Sequence, residues 1–310
     1  MILTITMNPS VDISYQLDSF KYDSANRVSN VSKTAGGKGI NVTRVLSQLD
    51  KDVTATGLTG GILGRFIEAS LKDKGIKNSF YEVSGATRNC IAFLHEGNQT
   101  EILESGPIIN REEIDGFITH LETLLPKCEL VSISGSLPKG VDYTFYSELI
   151  EICSEHEKRV VTDCSGEALR EVIKGRHKPM LIKPNLEELS ELIGLEVAID
   201  NESLKNAVST EIFDGIDWTF VSLGADGAFA RNEGKFYRVK IPKIRVINPV
   251  GSGDSTVAGI ASAIVENKSA EELLKHSNTL GMLNAQQSVT GHVDLSNYEE
   301  IYKKIEIIEV

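Results

Sequence analysis

The sequence predicts an α/β fold: a mainly parallel sheet covered by helices on both faces, with a second, smaller sheet beside it. Two observations carry the prediction. Apolar runs of strand length alternate with stretches of helical periodicity from the N-terminus into the C-terminal third. Two segments, about 11–34 and 88–105, break that alternation and read as half-polar strands unaccompanied by helices. No linker-like Pro/Ser/Gly stretch, internal repeat or low-complexity tract divides the 310 residues, so one domain spanning 1–310 is expected.

Taken in order, "MILTITMN" is a strand, "GINVTRVLSQL" a helix, "DVTATGL" a strand and "LGRFIEASLKDKG" a helix. After the second irregular segment, "LVSISG", "FYSELIEICSEH" and "RVVTDC" repeat the strand-helix-strand order. "PMLIKPN" then leads into the helix "LEELSELIGL", and "WTFVSLG" closes the series as a strand. Within 88–105, "EGNQT" supplies a hairpin turn between "CIAFLH" and "EILES". The small sheet has two readings, a lid over a site or an extension of the main sheet's edge.

Composition narrows the function classes. The formal charge is -12 and no block of lysines or arginines could follow a phosphate backbone, so neither a nucleic acid nor a membrane is an expected partner. The chain has no 18-residue apolar run, and "MILTITMNPS" lacks the basic start of a signal segment, which places the protein in the cytoplasm by expectation. The cysteines, Cys90, Cys128, Cys153 and Cys164, form no C-x-x-C pair and read as small buried hydrophobes. The six histidines are scattered without metal-ligand spacing.

The chemistry concentrates in two glycine-rich turns. In "NPVGSGDSTVAGI" (248–260) the glycines let consecutive N–H groups converge at a helix N-terminus, an anion-attracting arrangement, yet Asp254 follows directly. An acid there is either a helix cap or a proton acceptor. As an acceptor, Asp254 would take the proton of an attacking hydroxyl while the amides of Gly251, Ser252 and Gly253 stabilise a transferring phosphoryl group. In "TAGGKGINVTRVL" (34–46), Gly36, Gly37 and Gly39 are expected to permit close ligand approach. Lys38 supplies charge for an anionic substrate there, and Asn41 can hydrogen-bond sugar hydroxyls. Asp12, after the first strand, either binds a pair of hydroxyls or makes a local turn. Neither G-x-x-x-x-G-K-[ST] nor G-x-G-x-x-G is complete anywhere, which removes the P-loop and dinucleotide-dehydrogenase readings.

"AGGKGIN" near the N-terminus combined with "NPVGSGD" near the C-terminus resembles the two signatures of the ribokinase-like carbohydrate kinases, also called the phosphofructokinase B family. "KPNLEE" (183–188) is similar to the family's N-x-x-E element and "SLGADG" (222–227) to its nucleotide-binding turn. The resemblance spans the chain and implies a three-layer α/β/α sandwich with a β-sheet lid that often mediates a homodimer. It also implies ATP as co-substrate, Asp254 as base and the Gly251–Gly253 amides as anion hole. Asn185 and Glu188 match the element that organises Mg2+ through water, although in isolation they are also a helix N-cap with a first-turn acid. The resemblance further assigns Lys183, Ser222, Gly224 and Gly227 to the nucleotide phosphates, and Asn278 and Gly281 to the flanks of the adenine, where helix packing competes as an explanation for the glycine.

Three cations, Arg27, Lys38 and Arg88, fall in or beside the expected lid and glycine turn, a cluster suited to a substrate that already carries phosphate. "SGSLPKG" (134–140) adds Ser136 and Lys139. Within the sugar-phosphate branch, "TMNPSVDISY" and "SKTAGGKGINVTRVLSQL" look most like tagatose-6-phosphate kinases of the bacterial lactose and galactose pathway, and next like 1-phosphofructokinases. A 6-phosphofructokinase and a non-catalytic sugar-phosphate sensor are the alternatives, and the presence of Asp254, Asn185 and Glu188 speaks against the sensor.

Overall fold

A computed structural model describes residues 1–310. The chain runs β1 (Ile2–Thr6), β2 (Ser10–Leu17), β3 (Val31–Gly36), α1 (Lys38–Gln48), β4 (Val53–Thr59), α2 (Gly61–Asp73), β5 (Lys77–Asn78), β6 (Tyr81–Glu82), β7 (Arg88–His95) and β8 (Asn98–Leu103). It continues through α3 (Arg111–Leu124), β9 (Leu130–Ser134), α4 (Phe145–Glu155), β10 (Arg159–Asp163), α5 (Gly166–Lys174), β11 (Leu181–Ile182), α6 (Leu186–Ile193) and α7 (Asn201–Val208). β12 (Trp218–Ser222), β13 (Ala228–Asn232), β14 (Lys235–Lys240), α8 (Ser252–Val265), α9 (Ala270–Ala285), α10 (Tyr298–Lys304) and β15 (Glu306–Glu309) complete it.

The main sheet has the order β15-β14-β13-β12-β11-β10-β9-β1-β4-β5, with β6 paired to β4. Strands β1, β4, β5, β6 and β9 to β12 are parallel, and β13, β14 and β15 form an antiparallel edge. Side-chain alternation along β1 separates the layers. Leu3 and Ile5 join the core under α3 to α7, whereas Ile2 joins the core shared with α1, α8, α9 and α10. The result is a three-layer α/β/α sandwich, as expected from the strand-helix alternation.

The antiparallel edge was not legible in advance. "AFARNEGKFYRVK" turns at Glu233 and Gly234, both at positive φ, which fits a two-residue hairpin. Nothing longer than that dipeptide announces the change from parallel to antiparallel pairing.

The two irregular segments form a separate four-stranded sheet, order β3-β2-β7-β8, in which β2 and β7 are parallel and the outer pairs antiparallel. It is therefore a second sheet and not an extension of the first. The β7–β8 turn is at Glu96 and Gly97, again both at positive φ, inside the "EGNQT" stretch read as a turn. Register places Asp12, Thr34 and Cys90 on one face and Ile13, Lys33 and Ile91 on the other. The base of the second face packs on α2 through Val11, Ala35, Ile67 and Leu71.

Candidate active site

A cleft of about 670 Å³ opens between the small sheet and the carboxyl ends of the parallel strands. Each central strand delivers residues to it at or just past its end: Thr6 and Asn8 from β1, Gly135 and Ser136 from β9, Asp163 from β10, Lys183 and Asn185 from β11, and Ser222 from β12. Parallel sheets collect ligands there because helix N-termini and loop ends converge on that edge. From the opposite side come Asp12, Ser14, Arg88, Cys90 and Glu101 of the small sheet.

Asp254 sits at the bottom, 6% exposed, in the first turn of α8. Its carboxylate caps no backbone N–H of that helix; Oδ2 accepts from Asn41 Nδ2 at 2.7 Å. The cap reading is thus not what the structure displays. Burial, reinforced by the charge of Asp163, pushes the Asp254 carboxyl up to about 6, against the opposing pull of Asn41, Lys38 and Lys183. A base poised there is ionised at neutral pH and still able to hold a proton.

Gly251 adopts φ 81, a left-handed turn that only glycine enters without strain, and a Cβ there would lie 2.5 Å from the Thr290 methyl. The amides of Gly251 and Gly253 donate to no carbonyl of the chain, while the Ser252 N–H reaches back to the Pro249 carbonyl at 3.2 Å. Of the three amides expected to form an anion hole, two are therefore free and one is partly engaged. Asn284 of α9 pins the loop by donating to the Val250 carbonyl at 2.9 Å and accepting from the Gly291 N–H at 2.8 Å.

Asp163, and its pairing with Lys38 and Lys183, escaped the sequence reading. Lys183 Nζ is 3.2 Å from Asp163 Oδ1 with both side chains buried, and Lys38 Nζ is 3.8 Å from Oδ2. Burial works against the Asp163 charge, but Lys183 and Lys38 outweigh it and hold the carboxyl below its usual range. Asp163 in turn is the largest cause raising the Lys38 ammonium, which keeps it charged. The one available signal was an acid at the carboxyl end of a parallel strand in "RVVTDC".

Asn185 and Glu188 make a complete capping box on α6: Asn185 Oδ1 accepts from the Glu188 N–H and Glu188 Oε2 accepts from the Asn185 N–H, both at 2.8 Å. Both also line the cleft, and the second Glu188 oxygen has no partner. One hard oxygen without a cluster of further acids suits Mg2+ held through its own waters and a ligand's phosphates, and does not suit an all-protein cage. The donor set fits the ion on those terms.

Asp12 is held by the Ser10 hydroxyl at 2.6 Å, and burial raises its carboxyl against that bond and the nearby Arg44 and Arg88. The guanidinium of Arg88 donates to the carbonyls of Asn8 and Glu104, both at 3.0 Å, with Nε buried and unpaired. Gly37, Lys38, Asn41 and Ser136 line the cleft.

Other expectations need correcting. Arg27 does not join Lys38 and Arg88; it lines a different recess with Lys21 at the far end of the small sheet, between β2 and β3. The chain folds that loop outward, so the expected trio is a pair within this cleft. Gly36 and Gly39 make room for the chain itself, not for a ligand. A Cβ on Gly36 would strike the Asp12 carboxylate at 2.1 Å, and one on Gly39 the Ile5 carbonyl at 2.8 Å. Gly281 meets α8, where a Cβ would lie 2.5 Å from Thr256 Oγ1, and Asn278 donates to the Leu274 carbonyl within its own helix; neither lines the cleft. Gly224 and Gly227, at positive φ, shape the turn after Ser222 without lining the cleft themselves.

Solved structures share this fold. A Staphylococcus aureus protein described provisionally as a phosphofructokinase is 31% identical, with 100% of this chain and 99% of that chain covered and a TM-score of 0.85. Escherichia coli phosphofructokinase-2 bound to fructose-6-phosphate is 27% identical over 97% of this chain and 98% of its own, with a TM-score of 0.87. A Thermotoga maritima protein described provisionally as a 1-phosphofructokinase shares the fold at 24% identity and a TM-score of 0.90, with 100% of this chain and 99% of that chain covered. The model of the pfkB family of carbohydrate kinases matches residues 5–296, and the chain belongs to that family.

Proposed function

We propose that this sugar kinase transfers the γ-phosphoryl group of ATP to the C1 hydroxyl of D-tagatose 6-phosphate, giving D-tagatose 1,6-bisphosphate and ADP, in lactose and galactose catabolism. The observation that carries the transfer chemistry is the placement of Asp254: a buried carboxylate, raised to about 6, beside the free amides of Gly251 and Gly253. Asp254 takes the proton of the C1 hydroxyl as its oxygen bonds to the γ-phosphorus and the bond to the β,γ-bridging oxygen breaks. The amides, with Ser252 at the same turn, face the charge on the transferring group. Lys183, Asn185, Ser222 and the turn of Gly224 and Gly227 stand on the nucleotide side, with Asn278 and Gly281 behind it in α9. Exposed Val250 and Val289 offer an apolar surface for the base. Mg2+, when bound, neutralises phosphate charge, and Glu188 with Asn185 would orient its waters.

On the sugar side, Asp12 and Asn41 meet hydroxyls while Lys38, Arg88 and Ser136 hold the 6-phosphate. The choice of tagatose rests on the likeness of "TMNPSVDISY" and "SKTAGGKGINVTRVLSQL" to tagatose-6-phosphate kinases. A second reading, 6-phosphofructokinase, is favoured by the Escherichia coli relative bound to fructose-6-phosphate. The two sugars differ only at C4 and present the same C1 hydroxyl. An ADP-release assay with Mg-ATP and tagatose 6-phosphate, fructose 6-phosphate, fructose 1-phosphate, ribose and adenosine decides by kcat/KM. Tagatose 6-phosphate is expected to lead, and a tenfold advantage for either fructose phosphate overturns the tagatose assignment.

The protein acts in the cytoplasm as a homodimer joined through the small sheet. No helix is long and apolar enough to cross a membrane. β8 is an edge strand exposed along its length, with Ile102 and Leu103 54% and 60% exposed, which supports pairing of that sheet with a second copy. Sedimentation of the wild-type protein and of Leu103→Glu tests this: a dimer that Leu103→Glu dissociates is expected, and a wild-type monomer refutes it.

A further inference from the structure

Arg44, on α1, is 5% exposed, forms no ion pair with a carboxylate, and leaves its Nε without a partner. A buried guanidinium with no carboxylate in direct contact is costly, and burial lowers its proton affinity against the pull of the Asp12 and Asp254 charges, so its retention calls for a local reason. Its terminal NH2 group donates to Asn41 Oδ1, one helical turn earlier, and Asn41 Nδ2 donates to Asp254 Oδ2 at 2.7 Å. A primary amide can present either its oxygen or its NH2 to a neighbour, and nothing in an asparagine itself decides which. Arginine has donors only. A guanidinium fixed on one side of Asn41 therefore accepts one orientation alone: oxygen toward Arg44, NH2 toward the carboxylate.

The guanidinium is confined by burial beside the Gly291 loop, with Asn41 as its hydrogen-bond partner. Gln48, one turn further along α1, donates to the carbonyls of Arg44 and Gly291 at 2.9 and 3.0 Å, tying the Gly291 loop against the helix. Gly291 leaves the space, since a Cβ there would lie 3.1 Å from the terminal nitrogen of Arg44.

We infer that Arg44 is a positioning residue, which sets the polarity of the Asn41 amide so that Asn41 always donates to the Asp254 carboxylate and never opposes it with its oxygen. This rests on the reading of Asp254 as the base that takes the sugar's proton. The groups facing Asp254 are Asn41 and Lys38 from α1, Asp163 from β10 and Lys183 beyond β11; Arg44 stands behind Asn41. Removing Arg44 frees the amide to turn, and an oxygen facing Asp254 would favour the protonated carboxyl. The acid limb of the rate profile then moves to higher pH.

The test compares wild type with Arg44→Gln, Asn41→Ala and the double variant, each checked for folding by circular dichroism. Arg44→Gln is expected to lower kcat roughly tenfold at pH 6.5 with both KM values within about threefold, and to move the acid limb upward. In the Asn41→Ala background the same change should do little more, because the route through Asn41 is gone. Titration of Asp254 by carbon NMR in the ligand-free, aspartate-labelled protein should show the same upward move. Equal losses in both backgrounds, or an Asp254 titration that Arg44→Gln leaves in place, overturn the inference. If Arg44→Gln does not fold, Arg44→Lys serves, since a lysine is also donor-only; it should keep the wild-type midpoint, and an upward move overturns the inference. The NMR arm needs no turnover. A wild-type protein inactive on every sugar phosphate would refute the kinase chemistry proposed above while Asp254 still reports on Arg44.

Discussion

Asn41 and Asp254 stand 213 residues apart in the chain and are joined by a 2.7 Å hydrogen bond, which ties the first helix after the N-terminal glycine turn to the first turn of α8. The bond brings the two glycine-rich motifs into one site and gives Asp254 a single polar partner in a buried setting. A carboxylate so placed has two measurable properties, a role in turnover and a cost in stability.

Asp254→Asn tests both. The amide keeps the shape and an oxygen that Asn41 can still donate to, but it cannot take a proton, so kcat should fall by roughly 10²-fold or more. The stability effect has a definite sign. The native carboxyl titrates at about 6, above its ordinary value of 3.8, so its ionisation penalises the native state. That penalty is fully present above pH 6 and disappears as pH falls toward 4. The variant should therefore be at least as stable as wild type at pH 7.5, and any advantage should shrink by pH 4. Thermal unfolding at the two pH values checks this; a variant that melts early while folded molecules keep wild-type turnover would return Asp254 to a structural role.

Asp163 sets part of that value, because its charge is the second cause raising Asp254 after burial. Asp163→Asn removes the repulsion and leaves Lys38 and Lys183 to favour the Asp254 carboxylate. The acid limb of kcat/KM, expected near pH 6 in the wild type, should move to lower pH in the variant. An unmoved limb, in a variant shown to be folded, would mean that Asp254 does not feel Asp163 during turnover.

Lys183→Met examines the other end of the same pair. It leaves the Asp163 carboxylate buried with only the more distant Lys38 beside it, and stranding a buried charge typically costs about 3 to 5 kcal/mol. Denaturant unfolding at pH 7 should show a loss of that order, and the loss should shrink when Asp163→Asn is added. Additive losses would show that the two side chains are not energetically coupled.

How much of this was readable beforehand depends on whether a residue's role is local. The strand-helix alternation, the hairpin at Glu96 and Gly97 and the capping box of Asn185 and Glu188 are set by neighbours within a few positions, so periodicity and turn chemistry exposed them. Asp254 stood out for the same reason, as an acid at an amide-rich turn. Asp163 and Arg44 did not, because one is an ordinary strand-end acid and the other an ordinary helical arginine until the sheet order β11-β10-β9-β1 brings the first to the cleft and the packing of α1 on α8 sets the second behind Asn41. The misplacement of Arg27 has the same origin. Nearness to Asp12 and Lys38 along the chain says nothing about which way a long β2–β3 loop folds, and here it folds outward.

That outward fold sharpens the last prediction, which concerns the phosphate of the sugar. With Arg27 lining a separate recess, Lys38 and Arg88 are the two of the three expected cations that this cleft contains. Lys38 is already engaged by Asp163 at 3.8 Å, whereas Arg88 forms no ion pair and its hydrogen bonds go to neutral carbonyls. Arg88 should therefore dominate recognition of the second phosphate, as a planar donor suited to it. Arg88→Ala is expected to raise the KM of the sugar phosphate roughly tenfold or more, with the KM of ATP changed less than about twofold. Arg27→Ala should change neither KM by more than about twofold. Initial-rate kinetics with each substrate varied in turn measure all four effects. Equal effects of Arg88→Ala on both substrates would remove it from the sugar side. A large effect of Arg27→Ala on the sugar phosphate alone would mean that its recess is brought to a sugar site in the assembled protein, a possibility that sedimentation of the same variant would resolve by showing whether the dimer persists.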